Sequence, residues 1–136
     1  MATITLQRSN EFINRMRDYH IYIDGKKVGN IANGETKEFE ITNGQHSIEA
    51  KIDWCRSPIV NFSIETAQFK LLKVGSFKFG DLIIPSGLGL IAFGYLLAKY
   101  FDNEWFLFLG FPTFAVLIYY LTIGRGKYLT LTEYIQ

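Results

Sequence analysis

The sequence predicts an all-β sandwich, antiparallel and built of about six or seven short strands, joined to a transmembrane α-helical hairpin. Turn-forming pairs, Asp24-Gly25, Asn33-Gly34 and Asn43-Gly44, recur between short stretches of alternating polar and apolar residues. Farther on, residues 82–98 and 105–124 form two long apolar runs with no charged side chain inside either. A bilayer's hydrocarbon core takes about 20 residues of helix at roughly 1.5 Å per residue, and each run matches it. Charge is segregated in the same way: the first 80 residues carry 11 Lys/Arg and 9 Asp/Glu, the remaining 56 only 3 and 4. The layout read from this is a soluble sandwich domain over 1–78, a two-helix hairpin over 79–124 with helices at 82–99 and 105–124, and a tail, 125–136.

Composition narrows the function classes. The formal charge of +1 over 136 residues gives no electrostatic footprint for nucleic acid. The single cysteine, Cys55, excludes an internal disulfide framework and a multi-cysteine zinc site. Residues 1–6 show no basic segment followed by an apolar one, so no signal peptide is read there, and no lipidation pattern either.

Taken in order, residues 2–7 alternate as a short strand, and 9–17 read as a helical turn or a loop. Residues 19–24 alternate again, with Tyr19, Ile21 and Ile23 on one face. Asp24-Gly25 supplies the positive φ of a tight turn, and 27–31 return. After Asn33-Gly34 comes a strand over 36–41, and after Asn43-Gly44 one over 46–54. Ser57-Pro58 breaks the chain, and 59–65 and 67–74 are two further strands. The expected inward set is Leu6, Ile21, Ile23, Ile31, Phe39, Ile41, Ile48, Ile52, Trp54, Phe62, Ile64, Phe69 and Leu71. That set is large enough for a domain of this size to bury a core.

Ile21-Tyr22-Ile23-Asp24-Gly25-Lys26-Lys27-Val28-Gly29, followed by Asn43-Gly44-Gln45-His46-Ser47-Ile48, resembles the PEGA family of small β-sandwich modules. Those modules carry a Tyr-x-Asp-Gly hairpin and a later Gly-x-His-x-Ile strand entry. The likeness covers residues 19–52 and lacks the Pro-x-Gly-Ala element that names the family. It implies a non-catalytic binding or surface module and carries over no site residues.

Lys70, Lys73 and Lys78 precede the first apolar run, and Arg125 and Lys127 follow the second; the break between the runs sets Lys99 against Asp102 and Glu104. Cationic flanks stay on the cytoplasmic side, so the expectation is an integral protein of the inner or plasma membrane with two spans and both termini cytoplasmic. Those five cations either serve only as topology determinants or also contact anionic headgroups. Gly87, Gly94 and Ala98 on the first helix, with Gly110, Thr113 and Gly124 on the second, are small enough for close helix packing, within the hairpin or between copies. Pro85 is expected in the first turn of its helix and Pro112 deeper, bending the second. The tail over 127–136 alternates Tyr128, Thr130, Thr132 and Tyr134 with Leu129, Leu131 and Ile135, and is either an edge strand or a frayed end.

Chemistry-bearing patterns are sparse. His20 and His46 have no ligand-spaced partner, Cys55 reads as a half-buried structural thiol, and Asp24 and Asp53 read as turn and strand-end residues. No phosphate loop, dinucleotide fingerprint or nucleophile elbow is present. The expectation is therefore a non-enzyme with no catalytic, metal or cofactor residues. It would be a membrane-anchored module acting as a binding, accessory or scaffold protein. Its expected partners are membrane lipids and a protein partner or a second copy, not nucleic acid. The alternative is a membrane-active effector or immunity-type protein whose hairpins oligomerise.

Overall fold

The computed structural model describes residues 1–134; Ile135 and Gln136, the last positions of the predicted tail, lie outside the described residues. The chain divides into two compact units, Met1–Phe77 with the chain from Arg125 onward, and Lys78–Gly124.

The first unit contains β1 (Ala2–Arg8), β2 (Tyr19–Ile23), β3 (Lys26–Ile31), β4 (Thr36–Ile41), β5 (Gly44–Ile52), β6 (Cys55–Arg56), β7 (Val60–Ile64), β8 (Phe69–Ser76) and β9 (Leu129–Tyr134). One sheet has the order β4-β1-β8-β9. The other has the order β3-β2-β5, with β6 and β7 sharing the outer edge of β5. Alternation fixes which residues face inward. Ile4, Leu6, Leu72, Val74 and Leu129 of the first sheet, and Tyr19, Ile21, Ile48 and Ala50 of the second, are all but fully buried.

The expectation of wholly antiparallel pairing fails at one ladder. Strands β1 and β8 run parallel, from Thr3↔Phe69 to Arg8↔Val74. An alternating pattern sets the buried face of a strand but carries no information about its direction. Two of the turn signals also act differently from the hairpins they suggest. Asn33-Gly34 and the step into Gly44 move the chain between sheets, from β3 to β4 and from β4 to β5. Only Asp24-Gly25, with φ of 51° and 76°, closes a hairpin between neighbours in one sheet, β2 and β3. Where Ser57-Pro58 interrupts the edge of β5, the Ser57 N–H donates to the Ala50 carbonyl at 2.8 Å, and its hydroxyl accepts from the Ala50 N–H at 3.0 Å. The ladder thus stays satisfied without the amide that Pro58 lacks.

Four members of the expected inward set are not in the core. Phe39 is only half-buried on β4. Trp54 stands exposed in the turn between β5 and β6, where Asp53 takes φ of 49°. Phe69 is exposed and Leu71 half-buried, while Leu72 and Val74 point inward. In β8 the lysines at 70 and 73 fall on opposite faces, so charge could not choose between the two phases of the strand.

The second unit holds α1 (Gly80–Phe101), a 3-10 segment (Glu104–Gly110) and α2 (Phe111–Leu121). Helix α1 starts two residues ahead of the apolar run, because Asp81 is accommodated in the first turn, where the helix dipole favours a carboxylate. Pro85 consequently lies inside α1 rather than in its first turn, and the bond to the Asp81 carbonyl is forgone. The second apolar run is not one α-helix. Pro112 has no N–H to offer Phe108, and the Phe108 carbonyl accepts instead from the Phe111 N–H, a 3-10 bond. Pro112 thus begins α2 instead of bending it from within. At about 1.5 Å rise per α residue and 2.0 Å per 3-10 residue, both limbs reach roughly 30 Å. By length and composition, α1 and the Glu104–Leu121 limb are long and apolar enough to cross a membrane.

Candidate functional site

The strand directions put two sets of loops at opposite ends of the first unit. The end where β1, β5 and β8 finish and β2 and β9 start is also where the chain leaves at Phe77 and returns at Arg125. A buried polar network occupies it. The inward row Ile4, Leu6 continues to Arg8, which is only 1% exposed. Its guanidinium lies 3.7 Å from the Tyr19 ring centroid and donates to the carbonyls of Arg17 at 2.6 Å, Asn14 at 2.7 Å and Ile31 at 3.1 Å. The Tyr19 hydroxyl donates to Glu11 Oε2 and accepts from Asn14 Nδ2 at 2.9 Å. Burial and the adjoining Glu11 carboxylate push the Tyr19 phenol far above its ordinary pKa. Glu11 Oε1 accepts from the Ser9 hydroxyl at 2.8 Å and from the Ser76 amide. Asn14 Oδ1 accepts from the Tyr128 hydroxyl at 2.9 Å, and burial raises that phenol's pKa too. Phe77 and Tyr128 meet with ring centroids 5.3 Å apart. Both chain crossings are therefore clamped: Ser76 by Glu11, Tyr128 by Asn14 and Phe77. Arg8 Nε is buried without a hydrogen-bond partner, while the other donors and acceptors of the network are engaged with one another, as in a structural polar core.

At the opposite end, Asp24 of the β2–β3 turn receives His46 Nδ1 at 2.6 Å and the Ser47 amide at 2.9 Å. His46 Nε2 lies 2.9 Å from the Thr42 carbonyl. A carboxylate and a carbonyl only accept, so these two contacts favour the protonated ring. The Asp24 bond raises the His46 pKa above its ordinary value, and the His46 bond lowers that of Asp24. The residues behind the PEGA resemblance are thereby joined, the first hairpin to the entry of β5. Beside the pair runs an open groove of about 430 Å³ lined by Gln45, Ser47, Asn61, Phe62 and Ser63. His20 Nδ1 meets Asn30 Oδ1 at 2.7 Å across the β2–β3 ladder. Cys55 is buried, and burial pushes its thiol pKa up, away from the thiolate that reactivity needs. Among the described residues, no three of His, Cys, Asp and Glu gather as a metal site would require.

Most of the small residues singled out in the apolar runs come together within the hairpin. A Cβ on Gly94 would collide with the Phe106 carbonyl, and one on Gly110 with the Ile91 side chain. One on Gly87 would press on Phe114 at 3.3 Å and Thr113 at 3.5 Å. Gly124 faces Tyr119 of its own limb. Ala98 serves through its carbonyl, which accepts the Asp102 and Asn103 amides that end α1. The hydroxyls of Ser86, Thr113 and Thr122 donate to carbonyls three or four residues earlier, leaving none bare.

The five flanking cations do not act as one group. Lys70 is paired with Glu133 of β9 and lies 5.7 Å over the Phe62 ring, at the end of β8 away from Ser76. Lys73 is half-buried on β8, Lys78 lies 5.0 Å over the Phe79 ring, and Arg125 and Lys127 are exposed in a 3-10 turn. Sequence reasoning missed Arg8, Glu11 and Asn14. The available signal was the inward row of β1 running on to an arginine, which requires buried acceptors nearby.

Compared with known protein families, curated proteins and solved structures, the chain matches none.

Proposed function

We propose that the chain is a non-enzymatic, membrane-anchored β-sandwich module that serves as a binding or scaffold subunit at the membrane surface. The observation carrying this reading is the exposure of the apolar limbs: Tyr100 is 83% and Trp105 78% exposed, and Leu82, Leu88, Phe93, Leu96 and Phe111 are also open. A core helix of a soluble protein buries such side chains; a lipid-facing one does not need to. Pairing of Ser76 with Leu129 adds a topological constraint. Residues on either side of the hairpin share one sheet, so the chain between them crosses a bilayer an even number of times. Two crossings agree with two limbs of roughly 30 Å. Lys73, Lys78, Arg125 and Lys127 against Lys99 support a cytoplasmic sandwich. Small residues consumed inside the hairpin favour a tether over an oligomerising effector. The open groove and the resemblance to PEGA modules support binding rather than turnover.

Membrane fractionation with alkaline carbonate extraction tests the anchor. The full chain stays in the pellet and needs detergent to become monodisperse; a monodisperse species in plain buffer overturns the reading. Chemical cross-linking in native membranes, followed by isolation in mild detergent, tests the scaffold role: a discrete cross-linked partner is expected, and a bare monomer removes it.

A further inference from the structure

The end of the first unit that holds the buried network also bears large apolar side chains on its loop tips. Phe12 is 59% and Met16 91% exposed in the loop between β1 and β2, and Trp54 is 62% exposed between β5 and β6. These loops form one surface. Arg17 pairs with Asp53 across them, and Arg8 and Tyr128 hold Asn14 from below. Arg15, Arg56, Arg125 and Lys127 are exposed at the same end, with no ion-pair partner among the described residues. Of the carboxylates there, Asp53 is taken by Arg17 and Glu35 by Lys37, Glu11 is buried, and Asp18 is exposed. The surface is thus apolar at its tips and cationic around them.

Covalent geometry says what meets it, given the membrane reading on which this inference rests. Only Lys78 and Phe79 separate Phe77 from the first residue of α1, and Gly124 joins Arg125 directly. Three residues of chain span at most about 10 Å. Two such short tethers hold this end of the unit close to the headgroups. We propose that it is a docking surface for anionic lipid. Phe12, Met16 and Trp54 enter the interfacial layer, and Arg15, Arg56, Arg125 and Lys127 bind lipid phosphates. Tryptophan suits that depth because its ring is large and amphipathic. Basic side chains beside a bilayer gain from its negative surface potential. The docked unit then turns the Asp24–His46 end and its groove away from the membrane.

The test uses the full chain carrying Trp105→Phe, which leaves Trp54 as the reporter, reconstituted in phosphatidylcholine vesicles with or without phosphatidylglycerol and with shallow bromine-labelled acyl chains. Quenching of roughly half or more of the Trp54 emission is expected with phosphatidylglycerol present, since interfacial side chains sit within about 5–10 Å of the headgroup boundary. Arg15→Glu with Arg56→Glu should reduce it. A fluorophore on Met16→Cys gives a second readout, because buried Cys55 is poorly reactive. Protein that stays with the vesicles while both probes remain in water overturns the docking surface and leaves the anchor standing. Protein that does not stay with the vesicles overturns both.

Discussion

The two ends of the sheet unit are both built on polar side chains, and they use them in opposite ways. At the crossing end, Arg8, Glu11, Asn14, Tyr19 and Tyr128 are sealed from water, and the bonds from Tyr128 to Asn14 and from Ser76 to Glu11 tie distant parts of the chain to the loop after β1. At the groove end, Asp24 and His46 join two turns at the surface, where solvent can replace what a mutation removes. Polarity therefore stabilises one end and equips the other to respond to pH. The physical difference is desolvation: an unsatisfied group costs little in water and several times more in a core.

The largest break in this contrast should come from Arg8→Ala. It strips three buried carbonyls of their donor and takes the guanidinium from the Tyr19 ring, so unfolding in detergent should be easier by about 3 kcal/mol or more. A shift under roughly 1 kcal/mol would mean that water reaches the network. Glu11→Gln comes next. It weakens the acceptor for Tyr19, Ser9 and Ser76 while keeping the shape, and about 1–2 kcal/mol is expected in the same denaturation measurement. Tyr128→Phe removes one hydroxyl and should cost about 1 kcal/mol, with faster amide exchange along β9. The smallest effect on stability belongs to Asp24→Asn, which should leave the unfolding midpoint nearly unchanged.

The His46 titration reports that last variant. In the parent, the raised imidazole pKa means that the pair stabilises below the ordinary histidine value of about 6.5 and loses that contribution as pH rises past the raised value. The lowered Asp24 pKa sets the acid limit, where the contribution is lost as pH falls through it. Proton NMR of the ring should therefore show His46 titrating at lower pH in Asp24→Asn. An unchanged His46 titration would show that the two side chains do not interact in solution.

Much of the fold was legible because alternation and turn chemistry are local. The rows Tyr19, Ile21, Ile23 and Ile48, Ala50, Ile52 each read directly as one buried face. What was not legible was non-local. The parallel ladder of β1 and β8, the sheet switches at Asn33-Gly34 and before Gly44, and the phase of β8 depend on partners that no window of the chain contains. Pro112 misled for a related reason: whether a proline bends a helix or begins one depends on where the preceding turn tightens. His46 and Asp24 are 22 positions apart and showed no spacing that metal or catalytic motifs use.

The place of β9 in the sheet has a consequence for biosynthesis. Strand β8 emerges from the ribosome more than 50 residues before the strand that covers its edge, with the whole hairpin between them. Until β9 has been made and has paired with β8, the nascent module is one strand short and its open edge is a template for wrong pairing. For the membrane-anchored module proposed above, sheet closure would act as a checkpoint on insertion: a hairpin threaded only once would leave β9 on the wrong side and the sheet unfinished.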